Sequence, residues 1–383
     1  MREATQNYNM MRIGYIAGGL YPHRTGGMEI FDYYTIHELS KEFQLSVYSV
    51  DSYNGNANVV SKAISTKIVF KRGFRIGTLV YALRICLDVL KSRNKCDVFH
   101  ISITCNCRNY ALIFPYFFSL IGRPYVLMIH GGGMKQWKPI SLYRRLFDRA
   151  THVIAVSDLM KDEYSRRYSR DIVKLAPLLP PNRDLTEKCE ARRQLHLSLS
   201  SIVILYVGSL KKIKNPELLT NALNILGAEF LQENEVEVLV VGSGPERDDL
   251  EEFCARNCLS SFVHFCGLVK HEEVGHYYSA SDIFVITSRY EGNSMSMIDA
   301  INYQLPIIGT NVPGICNIIV NNESGLLVDP DDHKAFADSI KALVRHDVLR
   351  LEFVNQATKS IAPLYDYNTN IQKMINLYKS AVS

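Results

Sequence analysis

The chain has 383 residues, of which 47% are hydrophobic and 21% are charged, and its net charge is +4. This composition is typical of a globular protein, and the length allows two domains with separate cores. No apolar run reaches the roughly 18 residues of a membrane-spanning helix. The N-terminal residues lack the apolar segment and cleavage site of a secretory signal, so we expect a cytoplasmic protein.

The nine cysteines do not show the spacing of a metal site. Cys105 and Cys107 form one close pair and Cys254 and Cys258 form another, but neither has a matching second pair of cysteines or histidines. We therefore predict reduced thiols and no metal.

The charge is unevenly distributed along the chain. Residues 1–190 carry 27 Lys and Arg against 16 Asp and Glu, so the remainder carries 16 against 23. Two halves of opposite sign, +11 and −7, suggest two domains with different partners. The basic half could face an anionic surface, or the charge could differ between the domains without a functional reason.

Short apolar runs alternate with amphipathic stretches from the first strand to the last. Near-continuous Val, Ile and Leu runs indicate parallel strands that are covered on both faces. Helical spacing in segments such as 28–43 and 215–230 separates them, which predicts two doubly wound α/β units. In chain order the predicted strands are RIGYIAG, QLSVYSV, CDVFHIS, PYVLMIH, HVIAVS, IVILYVG, VEVLVVG, FVHFCG, DIFVITS and LPIIGT.

The boundary between the two units is predicted in the proline-rich segment Lys174–Leu185, because prolines interrupt regular structure there. We predict four parts: a disordered lead, a first Rossmann-like domain, a second Rossmann-like domain and a C-terminal helix. Their respective bounds are 1–11, 12–180, 181–365 and 366–383.

Three places combine a strand, a glycine-containing loop and a helix, an arrangement whose free amides can bind an anion. The first contains Gly26 and Gly27, and the third is the stretch SRYEGNSMSMIDAINYQLPIIGT from Ser288 to Thr310. The second, residues 242–253, is better explained as a structural turn.

Two further candidates follow predicted strands. Lys211, Lys212 and Lys214 form a basic cluster that could neutralise a diphosphate, although at least two of them could simply be solvated. His130 ends the strand PYVLMIH and precedes three glycines, so it could contact a ligand, and a structural histidine is an equal alternative.

The stretch from Ser288 to Thr310, together with residues up to Asp331, resembles the retaining glycosyltransferases of family 4, which have the GT-B fold. The matching pattern is S-x-x-E-G, a second acid eight residues later, a proline before a short strand, and a final G-L-L-V segment with Asp329. VGSLKKIKN, VVGSGPERDDLE and FVHFCGLVKHEEVGHYYSASDIFV agree in order and spacing. GGMEIFDYYTIHELSKEF and VLMIHGGG match more loosely, so the resemblance is most specific from about Ile202 to Asp331.

This resemblance implies transfer of a sugar from a nucleoside diphosphate sugar, of UDP or GDP type, to an acceptor hydroxyl. It implies retention of the anomeric configuration, no cofactor or metal, and two facing Rossmann-like domains with a last helix that returns to the first. The acceptor would be a glycan or a lipid-linked glycan, as in cell-surface polysaccharide or glycolipid synthesis, and no nucleic acid would be involved.

The resemblance also implies roles for individual residues. Glu291 and His130 would lie at the reacting sugar, while Lys214 would bind the diphosphate and Asp299 the ribose. An eight-residue helical step from Glu291 to Asp299 would advance roughly 12 Å, about the length from sugar to ribose. The remaining donor-binding residues would be Gly26, Gly27, Ser209, Gly292, Asn293, Ser294 and Met295.

Two positions depart from the family pattern. Ser209 stands where the family usually has arginine, so one phosphate-binding cation is missing, and Asp299 stands where it usually has glutamate. Alternatives to a transferase are therefore a nucleotide-sugar epimerase on the same fold and a catalytically weakened GT-B partner subunit that binds a nucleotide sugar.

Basic and apolar residues share the segments Lys71–Lys95 and Ser141–Ala150. Helices of this composition can lie on an anionic membrane surface. We therefore expect peripheral association with the inner face of the cytoplasmic membrane, or else a solvated basic face.

Overall fold

The computed structural model of the protein describes residues 10–24, 26–53, 58–64, 76–91, 96–104, 108–130, 140–176 and 186–382. The chain separates into two compact units, Met1–Leu179 with Tyr367–Ser383, and Pro180–Asp366. Most of the predicted lead (1–9) and most of the proline-rich segment (177–185) lie outside the described residues.

The first unit is built on a seven-stranded parallel sheet with the strand order β3-β2-β1-β4-β5-β6-β7. Because the chain proceeds in one direction from β1 to β3 and in the other from β4 to β7, the order reverses between β1 and β4. The strands are β1 Arg12–Ile16, β2 Gln44–Ser49, β3 Val59–Ala63, β4 Val98–Ile103, β5 Tyr125–Ile129, β6 His152–Ala155 and β7 Val173–Lys174.

Helices cover this sheet, and the last helix of the chain is one of them. The described helices are α1 Gly27–Glu42, α2 Ile76–Lys91, α3 Arg108–Leu120, α4 Ile140–Asp148, α5 Asp158–Tyr168 and α13 Tyr367–Val382. Ile371, Met374 and Tyr378 of α13 belong to the core of the first unit. The C-terminal helix therefore returns to the first unit.

The second unit is a six-stranded parallel sheet with the order β10-β9-β8-β11-β12-β13, which reverses between β8 and β11. Its strands are β8 Ile202–Val207, β9 Val236–Val241, β10 Val263–Gly267, β11 Ile283–Ile286, β12 Ile307–Thr310 and β13 Leu326–Val328. Alternate residues of β8 enter two different apolar clusters, Ile204 and Tyr206 in one and Val203 and Leu205 in the other. Both faces of the sheet are thus covered.

The helices of the second unit alternate with its strands. They are α6 Lys188–Gln194, α7 Glu217–Glu233, α8 Arg247–Arg256, α9 Val274–Ala280, α10 Met295–Asn302, α11 His333–Arg345 and α12 Asp347–Ser360, followed by a 3-10 turn at Ala362–Tyr365. Parallel strands joined by helices are the doubly wound arrangement that the apolar runs predicted.

All ten predicted strands are present, and in the described part of the chain three further strands were missed: β3, β7 and β13. β3 is the edge strand of its sheet and is largely exposed, with the polar residues Ser61 and Lys62 inside it. β7 has two residues and β13 has three. Short edge strands carry little of the apolar signal that identifies a buried strand. Within the described residues, no helix has the length and apolar character needed to cross a membrane.

Candidate active site

The loops after β8 and β11 lie side by side at the reversal point of the second sheet. Arg289 donates its backbone N–H to the carbonyl of Ile213 at 2.9 Å, and the Thr287 hydroxyl donates to the carbonyl of Lys214 at 2.7 Å. In open parallel sheets, ligands bind outside the carboxyl ends of the strands at such a reversal point. The two loops therefore form the candidate ligand site of this unit.

Lys214 and Glu291 meet in this site, one from each loop. The Lys214 Nζ is 2.5 Å from Glu291 Oε1, and the Ser288 hydroxyl donates to the same oxygen at 2.6 Å. The Glu291 side chain is 8% exposed and that of Lys214 is 30% exposed. A buried carboxylate thus lies beside a partly accessible cation.

The contacts of Glu291 leave one of its oxygens available. Both Lys214 and Ser288 bind Oε1, and among the described residues none hydrogen-bonds Oε2. A carboxylate oxygen can accept hydrogen bonds from two hydroxyls. Glu291 can therefore hold its place through Oε1 and bind a ligand through Oε2.

Gly314 supports the backbone of Glu291. It has a φ of +91°, and a Cβ at this position would lie 2.1 Å from the carbonyl oxygen of Glu291. The N–H of Glu291 in turn donates to the carbonyl of Pro313 at 3.3 Å. Since an L side chain fits neither this φ nor this space, the position requires glycine.

Helix α10 begins later than the sequence suggested. Ser294 has extended dihedral angles and caps the helix, because its side chain accepts from the N–H of Met297. Glu291, Gly292 and Asn293 therefore lie in the loop before the helix, and the expected helical step of eight residues from Glu291 to Asp299 is wrong. Only Met295–Asp299 is helical, and the hydroxyl cap of Ser294 is the physical reason.

The start of α10 still suits an anion. The first N–H groups of a helix lack acceptors within it, and the helix dipole adds positive potential there. Met295 and Ser296 are partly buried at this end, and Asp299 is buried one turn further along.

The loops that follow β8 and β9 pack closely against each other. Ser209 follows β8, and its carbonyl accepts from the Tyr206 hydroxyl at 3.3 Å. A Cβ on Gly242 would lie 1.9 Å from the carbonyl oxygen of Gly208, and one on Gly244 would lie 2.1 Å from that of Leu210. These glycines let two loops approach closely, so this segment is the structural turn that was predicted.

Only Lys214 of the three clustered lysines enters the site. Lys211 and Lys212 are exposed, whereas Lys214 is partly buried against Glu291. Among the described residues, neither of the exposed lysines forms an ion pair. The family resemblance had singled out Lys214 for the diphosphate, whereas charge alone does not distinguish the three lysines.

In the first unit, Gly26 and Gly27 stand at the exposed start of α1, and Gly26 caps it with an extended backbone. His130 follows β5 and is 5% exposed. Burial lowers the pKa of His130 to about 3, so the ring is neutral at neutral pH. His130 lies beside a second buried carboxylate, that of Asp32. Burial raises the pKa of Asp32 to about 7.

Sequence analysis missed three residues that matter for these sites. Ser288 and Gly314 position Glu291, and Asp32 lies 3.7 Å from the ring of His130. Ser288 and Asp32 both belong to motifs that resembled the family. Their partners are distant in the chain, however, so no local spacing identifies these contacts.

Family comparisons agree with this geometry. A model of the glycosyl transferases group 1 matches residues 187–360, and a model of glycosyltransferase family 4 matches residues 25–177. The chain belongs to the group 1 glycosyltransferases. The first model spans the loops of Lys214 and Glu291, and the second spans Gly26, Gly27 and His130.

The glycosyltransferase is similar to relatives of two kinds. It is 23% identical over 295 residues to alpha-D-kanosaminyltransferase of Streptomyces kanamyceticus, covering 72% of this chain and 75% of the relative. It is 28% identical over 250 residues to D-inositol 3-phosphate glycosyltransferase of Corynebacterium urealyticum, covering 62% and 58%. The chain thus spans less than two thirds of the second relative.

Solved structures share this fold over nearly the full length of the chain. Sucrose-phosphate synthase of Thermosynechococcus elongatus has a TM-score of 0.78 and 18% identity, covering 97% of this chain and 98% of that one. HepE of Anabaena in complex with UDP has a TM-score of 0.74 and 16% identity, covering 97% and 100%. The glycosyltransferase therefore has the GT-B fold class, with two Rossmann-like units and a C-terminal helix.

Proposed function

We propose that the protein transfers a sugar from a nucleoside diphosphate sugar to an acceptor hydroxyl, with the anomeric configuration retained. The observation that carries this proposal is the Lys214–Glu291 pair at the reversal point of the second sheet, beside the start of α10. A glycan or lipid-linked glycan is the proposed acceptor, in synthesis of a cell-surface polysaccharide or glycolipid in the cytoplasm.

The charges of the site suit such a donor. The leaving diphosphate gains negative charge as the glycosidic bond breaks, so a cation and fixed amides aimed at it lower the barrier. Lys214 supplies the cation, and the backbone amides of Asn293, Ser294 and Met295 supply the fixed dipoles. These groups provide positive charge from the protein itself, and we propose transfer without a metal ion.

The neighbouring carboxylates suit the two ends of the donor. Oε2 of Glu291 accepts from hydroxyls of the sugar, while Asp299, inside α10, binds the ribose. On donor binding, the diphosphate competes with Glu291 for the Nζ of Lys214. The pair thus keeps both groups in place before the substrate arrives.

Two assays test this function. A thermal-shift series with UDP, GDP and ADP identifies the base, because a ligand at 100 times its Kd stabilises the folded state by about 2.7 kcal/mol. The purified protein is then incubated with the matching sugar donors, with and without a glycolipid extract. We expect release of the nucleoside diphosphate that depends on the acceptor. An isomerised donor sugar would indicate an epimerase instead.

Ser209 favours a second candidate function. In the family pattern an arginine stands here, and serine supplies no charge for the diphosphate. The alternative is a GT-B partner subunit that binds a nucleotide sugar without turning it over. Stabilisation by a nucleoside diphosphate, combined with no acceptor-dependent release from any donor, would establish this alternative.

Replacing Asp299 by asparagine is expected to raise the donor KM about 10- to 150-fold with little change in kcat. The ribose does not change during transfer, so its hydrogen bond contributes equally to the ground and transition states. A hydrogen bond to a charged group contributes roughly 1.5–3 kcal/mol. Steady-state kinetics at varied donor concentration measure both constants, and a deep loss of kcat would place Asp299 at the reacting centre instead.

The first unit presents an apolar and basic surface that fits a membrane. Its exposed residues repeat at helical spacing along α2 and α3, which contact each other. Arg145 and Arg149 lie over the ring of Tyr116, at 5.3 and 5.7 Å. The large exposed apolar residues are Leu79, Leu83, Leu87, Leu90, Leu112, Tyr116 and Leu120. We propose that this surface docks on an anionic bilayer and gives access to a lipid-linked acceptor.

Liposome flotation tests this docking. We expect the protein to float with vesicles that contain anionic lipid and not with neutral ones, and high salt should weaken the association. A variant with both Leu87→Glu and Leu120→Glu should lose flotation. Leu268, which is 70% exposed in the second unit, offers the matched control Leu268→Glu. Equal failure of the unchanged protein to float with either vesicle would contradict the proposal.

A further inference from the structure

Six polar or aromatic side chains form a connected cluster inside the first unit, which we call the buried network. They come from β1, α1, β4, the end of β5 and the C-terminal helix α13, so the network lies at the reversal point of the first sheet. Each is at most 5% exposed. The members are Tyr15, Asp32, His100, Ser102, His130 and Tyr378.

Asp32 is the acceptor at the centre of the network. Its Oδ1 accepts from the Tyr15 hydroxyl at 2.7 Å and from the Ser102 hydroxyl at 2.6 Å. The Nε2 of His130 lies 3.7 Å from the same oxygen. Among the described residues, Oδ2 of Asp32 has no hydrogen-bond partner although it is buried. Burying a carboxylate costs free energy, and the hydrogen bonds at Oδ1 offset only part of this cost.

Ser102 and His100 connect Asp32 to the end of the chain. The Ser102 Oγ is 2.9 Å from His100 Nε2 and 3.4 Å from His130 Nε2. The other ring nitrogen of His100, Nδ1, is 2.5 Å from the hydroxyl of Tyr378 on α13. Tyr378 of the C-terminal helix is thus connected to His130 by hydrogen bonds through His100 and Ser102.

The available protons assign a direction to each hydrogen bond. Ser102 has one hydroxyl proton, and its 2.6 Å distance to Asp32 is that of an O–H donor to a carboxylate. Ser102 can therefore only accept from the two histidines, so each ring carries its proton on Nε2. Nδ1 of His100 is then an acceptor, which fits the donating hydroxyl of Tyr378.

We propose that Asp32 is a positioning residue that holds His130 as the neutral Nε2–H tautomer, so that Nδ1 of His130 accepts a hydrogen bond from a substrate hydroxyl. Tyr378 supports this arrangement from the C-terminal helix by setting the tautomer of His100. The assignment rests on the proposed transferase function and on the place at the reacting sugar that the family resemblance implies for His130. It adds that the substrate hydroxyl donates and Nδ1 of His130 accepts, which no feature of the sequence specified.

The ionisation of the groups is compatible with this arrangement. Burial lowers the pKa of both histidines, so neither ring is charged at neutral pH. The pKa of Asp32 is raised to about 7 by burial, although the hydrogen bonds from Ser102 and Tyr15 oppose this. At pH 8 most of the Asp32 carboxyl is therefore ionised.

Ring nitrogen spectroscopy tests the tautomer without any need for activity. Protein labelled with 15N-histidine is examined at pH 8 by long-range 1H–15N correlation, and His130→Gln and His100→Gln identify the two rings. We expect the proton on Nε2 in both. A proton on Nδ1 of His130 would overturn the proposal, whether or not the protein proves to be a transferase.

Asp32→Asn tests the positioning role. It keeps the shape and removes the charge, so we expect a second His130 tautomer to become visible and kcat to fall about 10-fold, with the donor KM within twofold. Tyr15→Phe is the matched control, because it removes the other hydrogen bond to Asp32 and keeps the ring stacked on His100, with centroids 4.1 Å apart. That control should leave the His130 tautomer unchanged. If Asp32→Asn changes neither the tautomer of His130 nor kcat, the positioning role of Asp32 is overturned.

Tyr378→Phe is the milder variant should Asp32→Asn fail to fold. Loss of the Tyr378 hydroxyl is expected to change the ring-nitrogen signals of His100. The signals of His130 should change as well, because Ser102 contacts both rings. Unchanged signals of both rings would overturn the connection to α13. If the spectra agree with the proposal but no donor is ever turned over, the proposed transferase function fails alone and the tautomer assignment stands.

Discussion

Replacing Glu291 by glutamine is expected to lower kcat by about 100-fold or more. Glutamine keeps the shape of the side chain and removes its charge, and the loss of one transition-state electrostatic contact typically has this magnitude. In the variant, Lys214 faces a neutral amide instead of the carboxylate 2.5 Å away and becomes more available to phosphate. The affinity for the free nucleoside diphosphate should therefore stay the same or increase while kcat falls, and steady-state kinetics together with a binding titration measure both.

A matched control separates this effect from a general loss of charge near the site. Asp331 forms an exposed ion pair with Arg289 at 2.6 Å, and its side chain is 71% exposed. Exposed pairs of this kind contribute little, so Asp331→Asn should keep kcat within about twofold. Weaker diphosphate binding by Glu291→Gln would show that Lys214 needs the Glu291 carboxylate to stay in place, and the competition assigned to the pair would be wrong.

Gly314→Ala is expected to lower both stability and kcat. An alanine at a positive φ costs about 1–2 kcal/mol, and here its Cβ would also lie 2.1 Å from the backbone oxygen of Glu291. Backbone cannot rotate away as a flexible side chain can, so the Glu291 loop must shift. Since a displacement of about 1 Å at a catalytic group can cost about 100-fold in rate, we expect a kcat loss of that order.

Gly227→Ala provides the comparison for strain alone. Gly227 also has a positive φ, +79°, but a Cβ there would meet nothing within 4 Å. It lies in α7, away from the loop of Glu291. We expect this variant to lose stability in chemical denaturation and to keep its kcat. If Gly314→Ala behaves the same way as Gly227→Ala, the contact with Glu291 does not hold the carboxylate in position.

Much of the fold could be predicted because the signals are local. Most of the ten predicted strands are near-continuous apolar runs, as expected for parallel strands covered on both faces. The motif around Glu291 and the lysines after β8 could likewise be placed at the ends of strands. The start of α10 could not be predicted, because a single hydroxyl, that of Ser294, decides whether the helix begins there or three residues earlier.

The sequence by itself determined the α/β class, the parallel strands, the family and the segments that carry the candidate site. Only the tertiary structure paired Lys214 with Glu291 across 77 residues and joined Tyr378 to His100 across 278. Patterns of apolar residues record what each short segment buries, and they hold no information on which distant polar group it meets. That choice is made when the strands pair and their carboxyl ends come together, because a buried polar group must then find its partner there.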